Sequence, residues 1–223
     1  MPHCAKEDRA SANQGDEGSP RLWHWGESVQ PLQQALGAGE VIALPTESSY
    51  ALSADPCNPS GVAEVFTIKG RPAGKALPVM VAHRDHLELL GIDAPLAVLE
   101  ALWAVWPAPL TALLPLRKTL PAAAGLGTLA VRVPAHDRLR RLLEELGPVT
   151  ATSANRSGQG PLLEVAEVAT LVAGRCWLVD DGKLPGGPPS TLVSWEGEAW
   201  NVLRRGAFPL ERLPIPERDS LGH

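Results

Sequence analysis

The sequence predicts an α/β domain, a twisted mixed β-sheet with helices packed on it. Three observations predict it. Short apolar runs of strand length alternate with segments of helical period between residues 27 and 203. Glycine or proline punctuates most junctions between them. The 223 residues are 44% hydrophobic, which suits one globular domain with tails.

The elements follow in order. Residues 1–20 are rich in Ala, Ser, Gly, Asp, Glu and Asn, with little to bury, and read as a disordered N-terminal tail. The domain is expected over residues 21–212 and a short C-terminal tail over 213–223. Residues 27–36 read as a helix ended by Gly37 and Gly39. Residues 41–44 are a buried strand stopped by Pro45. Asn58-Pro59 opens a helix, with a capping side chain and then proline in the first turn, and Val62, Val65 and Phe66 share one face of it. A strand over 77–82 and a helix over 96–106, ended by Pro107, come next. Strands are expected over 111–116 and 129–133, then an amphipathic helix over 137–146 closed by Gly147. A strand over 149–152, a helix over 164–172 and strands over 177–179, 191–194 and 200–203 complete the pattern.

Composition excludes several classes. The net charge is -5, so no global basic field draws the chain to nucleic acid or membrane. Any polyanion site must be a local concentration of cations. Three widely spaced cysteines, Cys4, Cys57 and Cys176, form no CxxC pair, which argues against a disulfide framework or a cysteine zinc site. No apolar run approaches the roughly 18 residues that span a bilayer, and residues 1–20 lack a secretion signal's apolar segment. A cytoplasmic protein is expected. The seven tryptophans are scattered rather than spaced as a stacking platform.

Three motif-like patterns fail on context. Gly70, Gly74 and Lys75 imitate a P-loop but are one residue short, and Ala76 stands where Ser or Thr should hold magnesium. Gly125, Gly127 and Ala130 fit a dinucleotide fingerprint but run into a strand, not a helix. His83 and His86 flank Asp85 at a charged turn with no third ligand in sight. No protein metal site is expected.

What remains is a set of polar residues at the ends of apolar strands. Lys69-Gly70-Arg71-Pro72 and Lys75 place three cations within seven residues past a helix end, either as a loop for phosphate or carboxylate or as a solvated turn. Arg132, flanked by Ala130, Val131 and Val133, either has an anionic partner or lies on the wet face of its strand. Ser153-Ala154-Asn155-Arg156-Ser157-Gly158 offers hydroxyls, an amide and backbone N–H groups in a turn. Pro45-Thr46-Glu47-Ser48-Ser49-Tyr50, Ser190-Thr191 and Arg204-Arg205-Gly206 complete the set.

In this order the segments resemble the YrdC family of threonylcarbamoyl-AMP synthases. That family's pattern reads PTETVYGL, KGRP, WPGPLT, AVRVPAH, SAN-SG, ST before a strand, and a terminal RPG. The chain reads PTESSYAL from Pro45, KGRP from Lys69, WPAPLT from Trp106, AVRVPAH from Ala130, SANRSG from Ser153, Ser190-Thr191, and RRG from Arg204. Each motif is weak; seven in order are specific, and they cover about residues 22–212.

The resemblance implies a YrdC-like fold with a basic central cleft. It implies synthesis of threonylcarbamoyl-AMP from L-threonine, bicarbonate or CO2, and ATP with magnesium, with release of pyrophosphate. The product would pass to a tRNA-modifying transferase complex for threonylcarbamoyladenosine formation. By the same analogy Lys69 and Arg71 are catalytic, and Thr46, Arg132 and Ser190 hold threonine. Lys69, Lys75, Thr111, Ser153, Asn155 and Arg204 hold the nucleotide. Ala51, Met80, Ala108 and Arg205 depart from the family pattern. Two other readings stay open: a non-catalytic module of the same fold that binds RNA, double-stranded RNA included, and a carbamoyl-transfer relative.

Overall fold

The structure is a computed structural model that describes residues 21–72 and 74–215. In chain order it contains β1 (Arg21–Trp23), α1 (Gln30–Gly37), β2 (Ile42–Pro45), β3 (Tyr50–Ser53), α2 (Pro59–Lys69), β4 (Val79–Met80), α3 (Asp85–Leu89) and α4 (Leu96–Trp103). Then come β5 (Leu110–Pro115), β6 (Thr128–Arg132), α5 (Asp137–Leu146), β7 (Val149–Thr150), β8 (Thr152–Ser153), α6 (Val165–Val172), β9 (Trp177–Val179), β10 (Thr191–Trp195) and β11 (Trp200–Arg204).

The strands form two mixed sheets. One runs β1-β9-β2-β3-β8; the other runs β11-β10-β5-β6-β4-β7. In the first, β9 lies parallel to β1 and β2, while β3 is antiparallel to β2 and β8. In the second, β5 and β10 are parallel, as are β4 and β6, and the other pairs are antiparallel. The chain passes from one sheet to the other at Ala151, between β7 and β8, and Ala151 N–H donates to Pro78 O at 2.7 Å.

The fully apolar run at β2 has a physical cause. Val41 and Ala43 pack into the larger core cluster, while Ile42 and Leu44 pack into a second one with Trp23, Leu139 and Leu143. Side chains alternate across a strand, so a strand covered on both faces cannot afford a polar position. β4 repeats this, with Val79 in the first cluster and Met80 in the second.

Two helices carry site residues at their ends. At the N-terminus of α2 the Asn58 side chain accepts from Ser60 N–H at 3.0 Å, and Pro59 fills the first turn. At its C-terminus Gly70 takes φ 59°, and Arg71 N–H returns to Phe66 O at 3.1 Å. That left-handed cap turns the chain sharply, so Lys69 and Arg71 leave in different directions. α5 starts from His136, whose Nδ1 accepts from Leu139 N–H at 3.1 Å.

Several boundaries differ from the sequence expectation. The helix expected over 27–36 begins only at Gln30, and the one over 96–106 ends at Trp103. The strand expected over 77–82 has two paired residues. β1 and β3 were not expected; both are short and owe their strand form to partners distant in sequence or to a turn. Pro45 ends β2 inside the ladder, opposite Tyr50. Leu213, expected in the C-terminal tail, is 8% exposed and packs in the core. The expected disordered tail over 1–20 and the end of the C-terminal tail lie outside the described residues.

Candidate active site

A cavity of about 270 Å³ opens beside the Ala151 crossing, between the β3–β8 edge of one sheet and β5, β6 and β10 of the other. Thr46, Thr111, Arg132, Ser153, Ser190 and Arg204 all lie on its wall, with Ala51 among the apolar residues. These six come from distant parts of the sequence, and the sequence placed each of them in one site.

The β2–β3 turn supplies one side. Thr46 is 4% exposed, and its hydroxyl donates to Ser49 O at 2.7 Å while Ser49 N–H approaches it at 3.3 Å. The Thr46 hydroxyl therefore holds the turn closed. Tyr50 fastens the same turn from behind, donating its hydroxyl to Gly182 O at 2.8 Å. Ala51, opposite Ser153 in the ladder, puts a methyl group on the wall.

The opposite side is built from β5, β10 and β11. Thr111 Oγ1 and Ser190 Oγ lie 2.7 Å apart. Arg204 donates to Ser190 O from Nη2 at 2.9 Å and from Nε at 3.2 Å, and to Ser190 Oγ from Nη2 at 3.2 Å. Arg204 is exposed overall, but partial desolvation of its guanidinium, and then the charge of Arg132, lower it from the ordinary arginine value. Two guanidiniums thus face one hollow.

Arg132 has the anionic partner that its apolar strand requires. It donates from Nη1 to Glu47 Oε1 at 2.7 Å and from Nη2 to Glu47 Oε2 at 3.3 Å. Sequence reasoning gave Glu47 no role. It stood in the quoted turn, but a partner 85 residues from Arg132 leaves no trace in local spacing.

Four predicted residues lie off this wall. Lys69 is 3% exposed, and its ammonium donates to Ser153 O at 2.5 Å, Asn155 Oδ1 at 2.6 Å and Asn155 O at 3.2 Å. All three of its N–H donors have protein acceptors. Ser157 N–H returns to Lys69 O at 3.0 Å, so α2 and the Ser153–Gly158 turn are stitched together twice. Burial, and then the charge of Arg71, push Lys69 down to about 8. Asn155 is 8% exposed, and its Nδ2 donates to Gln159 O at 2.5 Å. Arg71 lies over the Phe66 ring at 5.0 Å, and its Nε is buried with no hydrogen-bond partner among the described residues. Lys75 is exposed. The five expected cations therefore divide: Arg132 and Arg204 face the cavity, Lys69 braces the turn that carries Ser153, and Arg71 and Lys75 follow the cap at Gly70.

Among the described residues, no group of three or more His, Cys, Asp or Glu side chains could hold a metal ion. His86 is used locally, its Nδ1 accepting from Ala82 N–H at 3.2 Å.

Known proteins share this fold. The Sua5/YciO/YrdC family, described as telomere recombination, matches residues 34–206. The threonylcarbamoyl-AMP synthase of Photobacterium profundum is 33% identical over 185 residues, covering 81% of this chain and 100% of the relative. That of Pyrococcus abyssi is 34% identical over 179 residues, covering 78% of this chain and 53% of the relative, so this chain spans about half of the longer protein. The crystal structure of Pyrococcus abyssi Sua5 complexed with L-threonine aligns with a TM-score of 0.73 and 32% identity, over 86% of this chain and 58% of that one. With residues 34–206 matched by the family and a 33% identical relative covered over its whole length, this chain belongs to the Sua5/YciO/YrdC family.

Proposed function

We propose that this chain is a threonylcarbamoyl-AMP synthase, condensing L-threonine, CO2 derived from bicarbonate, and ATP, with release of pyrophosphate. One observation carries the reading: Arg132 and Arg204 share a cavity with the Thr111 and Ser190 hydroxyls, in a chain whose net charge is negative. Two fixed cations among neutral hydroxyls fit a carboxylate beside a phosphoryl group. The relatives' name and the threonine held by Pyrococcus abyssi Sua5 point the same way.

The reaction needs positioning and charge neutralisation more than bond-making side chains. The threonine amine attacks CO2, forming an N–C bond and losing a proton to give a carbamate. A carbamate oxygen then attacks the α-phosphorus, and the bond to pyrophosphate breaks. Arg132 takes the amino-acid carboxylate, with Thr46 shaping the adjacent wall. Arg204, Thr111 and Ser190 form the facing wall, Ser190 on the threonine side and the other two on the nucleotide side. Lys69 sets the position of Ser153 and Asn155 at the nucleotide. Arg71 and Lys75, beyond the cap at Gly70, meet phosphate oxygens, and the free Nε–H of Arg71 is suited to one. Magnesium enters with ATP, carried by phosphate oxygens and water.

The product is the labile adenylate that a tRNA-modifying transferase complex consumes. Such a role belongs in the cytoplasm; no helix among the described residues is long and apolar enough to cross a membrane.

The test is incubation with ATP, magnesium, bicarbonate and each amino acid in turn. Pyrophosphate release is expected only when threonine and bicarbonate are both present. Release indifferent to threonine, with RNA retention that falls steeply in salt, would replace this reading by a non-catalytic RNA-binding one. A pH dependence follows from Lys69. Its value is lowered to about 8, so the ammonium is present below that pH and is lost as pH rises through it. The neutral amine has two donors for three oxygens. The value of kcat/KM is therefore expected to fall on the alkaline side of about pH 8. A profile that stays flat well above that pH would count against the brace.

A further inference from the structure

We propose that Glu47 is the positioning residue for amino-acid recognition: it fixes the Arg132 fork and offsets one of the two guanidinium charges at the cavity. The inference rests on the synthase reading and adds to it a residue that contacts no substrate.

Four observations carry it. Glu47 follows directly on Thr46, whose side chain closes the β2–β3 turn, so its backbone is held. Its carboxylate meets Arg132 with both oxygens, and the two side chains are only 18% and 11% exposed. Arg132 lines the cavity, as do Thr46, Ser48 and Ser49 of the same turn, while Glu47 is not among its lining residues and has its carboxylate on Arg132. Arg132 also depresses the ionisation of Arg204, so the two cations are close enough to repel each other.

The physical chemistry follows. A guanidinium has five N–H groups, and Glu47 engages one on each Nη. Of the other three, one on Nη2 donates to Met80 Sδ at 3.7 Å, which leaves the Nε–H and the second Nη1 N–H for a ligand. A long side chain pinned in this way loses less freedom when it binds a second carboxylate. Charge matters as well. Arg132 and Arg204 without Glu47 would present two mutually repelling positive charges; with it, the net charge rests at Arg204 on the nucleotide side, and Arg132 meets the threonine carboxylate as a pre-oriented donor.

The experiment compares wild type, Glu47→Gln and Glu47→Asp, each checked for folding by thermal melting. Glutamine keeps the volume, removes the charge and cannot accept from both Nη groups. It is expected to raise the threonine KM about 10- to 100-fold while the ATP KM stays within about twofold. Aspartate restores the charge but stops one methylene short, and an intermediate rise is expected. The ¹⁵N signal of the Arg132 Nε–H, assigned by its loss in Arg132→Lys, should be sharp in wild type and broadened in Glu47→Gln. An unchanged threonine KM in folded variants would make the pair a structural tie and overturn the proposal. A lowered threonine KM would make Glu47 an internal competitor for Arg132 and also overturn it. Should Glu47→Gln fail to fold, the threonine-to-ATP split in Glu47→Asp decides. If wild type shows no threonine-dependent pyrophosphate release, the synthase reading fails instead, and the Arg132 signal still reports whether Glu47 fixes the fork.

Discussion

Lys69→Ala is expected to reduce threonine-dependent pyrophosphate release at least about a hundredfold, and to lower thermal stability as well. A lysine that met only phosphate would be replaced with little effect on the fold. This one is buried and donates to Ser153 O, Asn155 Oδ1 and Asn155 O. Removing the ammonium takes this donor from Ser153 O and Asn155 O, while Asn155 Oδ1 keeps the Ser153 hydroxyl at 2.9 Å; a buried acceptor left unpaired costs about 1–3 kcal/mol unless the turn shifts to reach water. A shifted turn carries Ser153 off the cavity wall, and a misplacement of about 1 Å can cost on the order of a hundredfold in rate. Lys69→Met keeps most of the volume and removes the donors, so it should lose comparable activity. Arg71→Ala should differ: its contact with Phe66 is worth about 0.5–1 kcal/mol, so the melting temperature should hardly move while turnover falls. Activity of Lys69→Ala within about tenfold of wild type would refute the bracing role.

Gly206→Ala is expected to be the most damaging single methyl group in the domain. A Cβ at Gly206 would lie 2.1 Å from Pro189 O, 2.4 Å from Ser190 C and 2.6 Å from Ser190 O. All three are backbone atoms, so no rotamer change relieves the overlap. The β11 end would have to separate from the segment before β10. That segment is held by Ala207 N–H to Pro189 O at 2.9 Å and by Thr191 Oγ1, which takes Gly206 N–H and Phe208 N–H at 3.1 Å each. Overpacking costs about 1–3 kcal/mol where side chains can adjust, and a backbone clash should exceed that. A loss of about 3 kcal/mol corresponds to roughly 6–12 °C in melting temperature for a domain of this size. Activity should fail even below the melting point, because Arg204 would lose its bonds to Ser190. Gly127→Ala is the control: apart from its chain neighbours, no atom of the described residues lies within 4 Å of its Cβ position, and its melting temperature should not change measurably. If the two variants melt alike, the close approach at Gly206 is not what holds these strands.

The legible parts of the fold were those with a strong local signal. Residues 137–146 form α5 as expected, because Leu139, Leu142 and Leu143 recur at helical spacing between exposed charges and Gly147 ends the run. Residues 177–179 form β9 as expected. β1 has only three residues and exists because β9 lies beside it, a partner more than 150 residues away. The division into two sheets was equally hidden. An apolar run such as residues 41–44 shows that a strand is buried, but not which strands flank it.

The sequence by itself determined the chemistry available: an α/β chain, acidic overall, with cations, hydroxyls and amides set at strand ends in an order that marks one family. It also named as site residues six of the polar residues that meet at the cavity, though not Ser48, Ser49 or Thr152. Only the tertiary structure decided what each cation does. Lys69 turned inward as a brace, Arg132 acquired Glu47, and Arg204 settled on Ser190. The reason is the range of the forces involved. Periodicity and capping act over a few residues and are written in the local sequence. Burial and charge pairing depend on which distant backbone segments become neighbours, and folding alone makes them so.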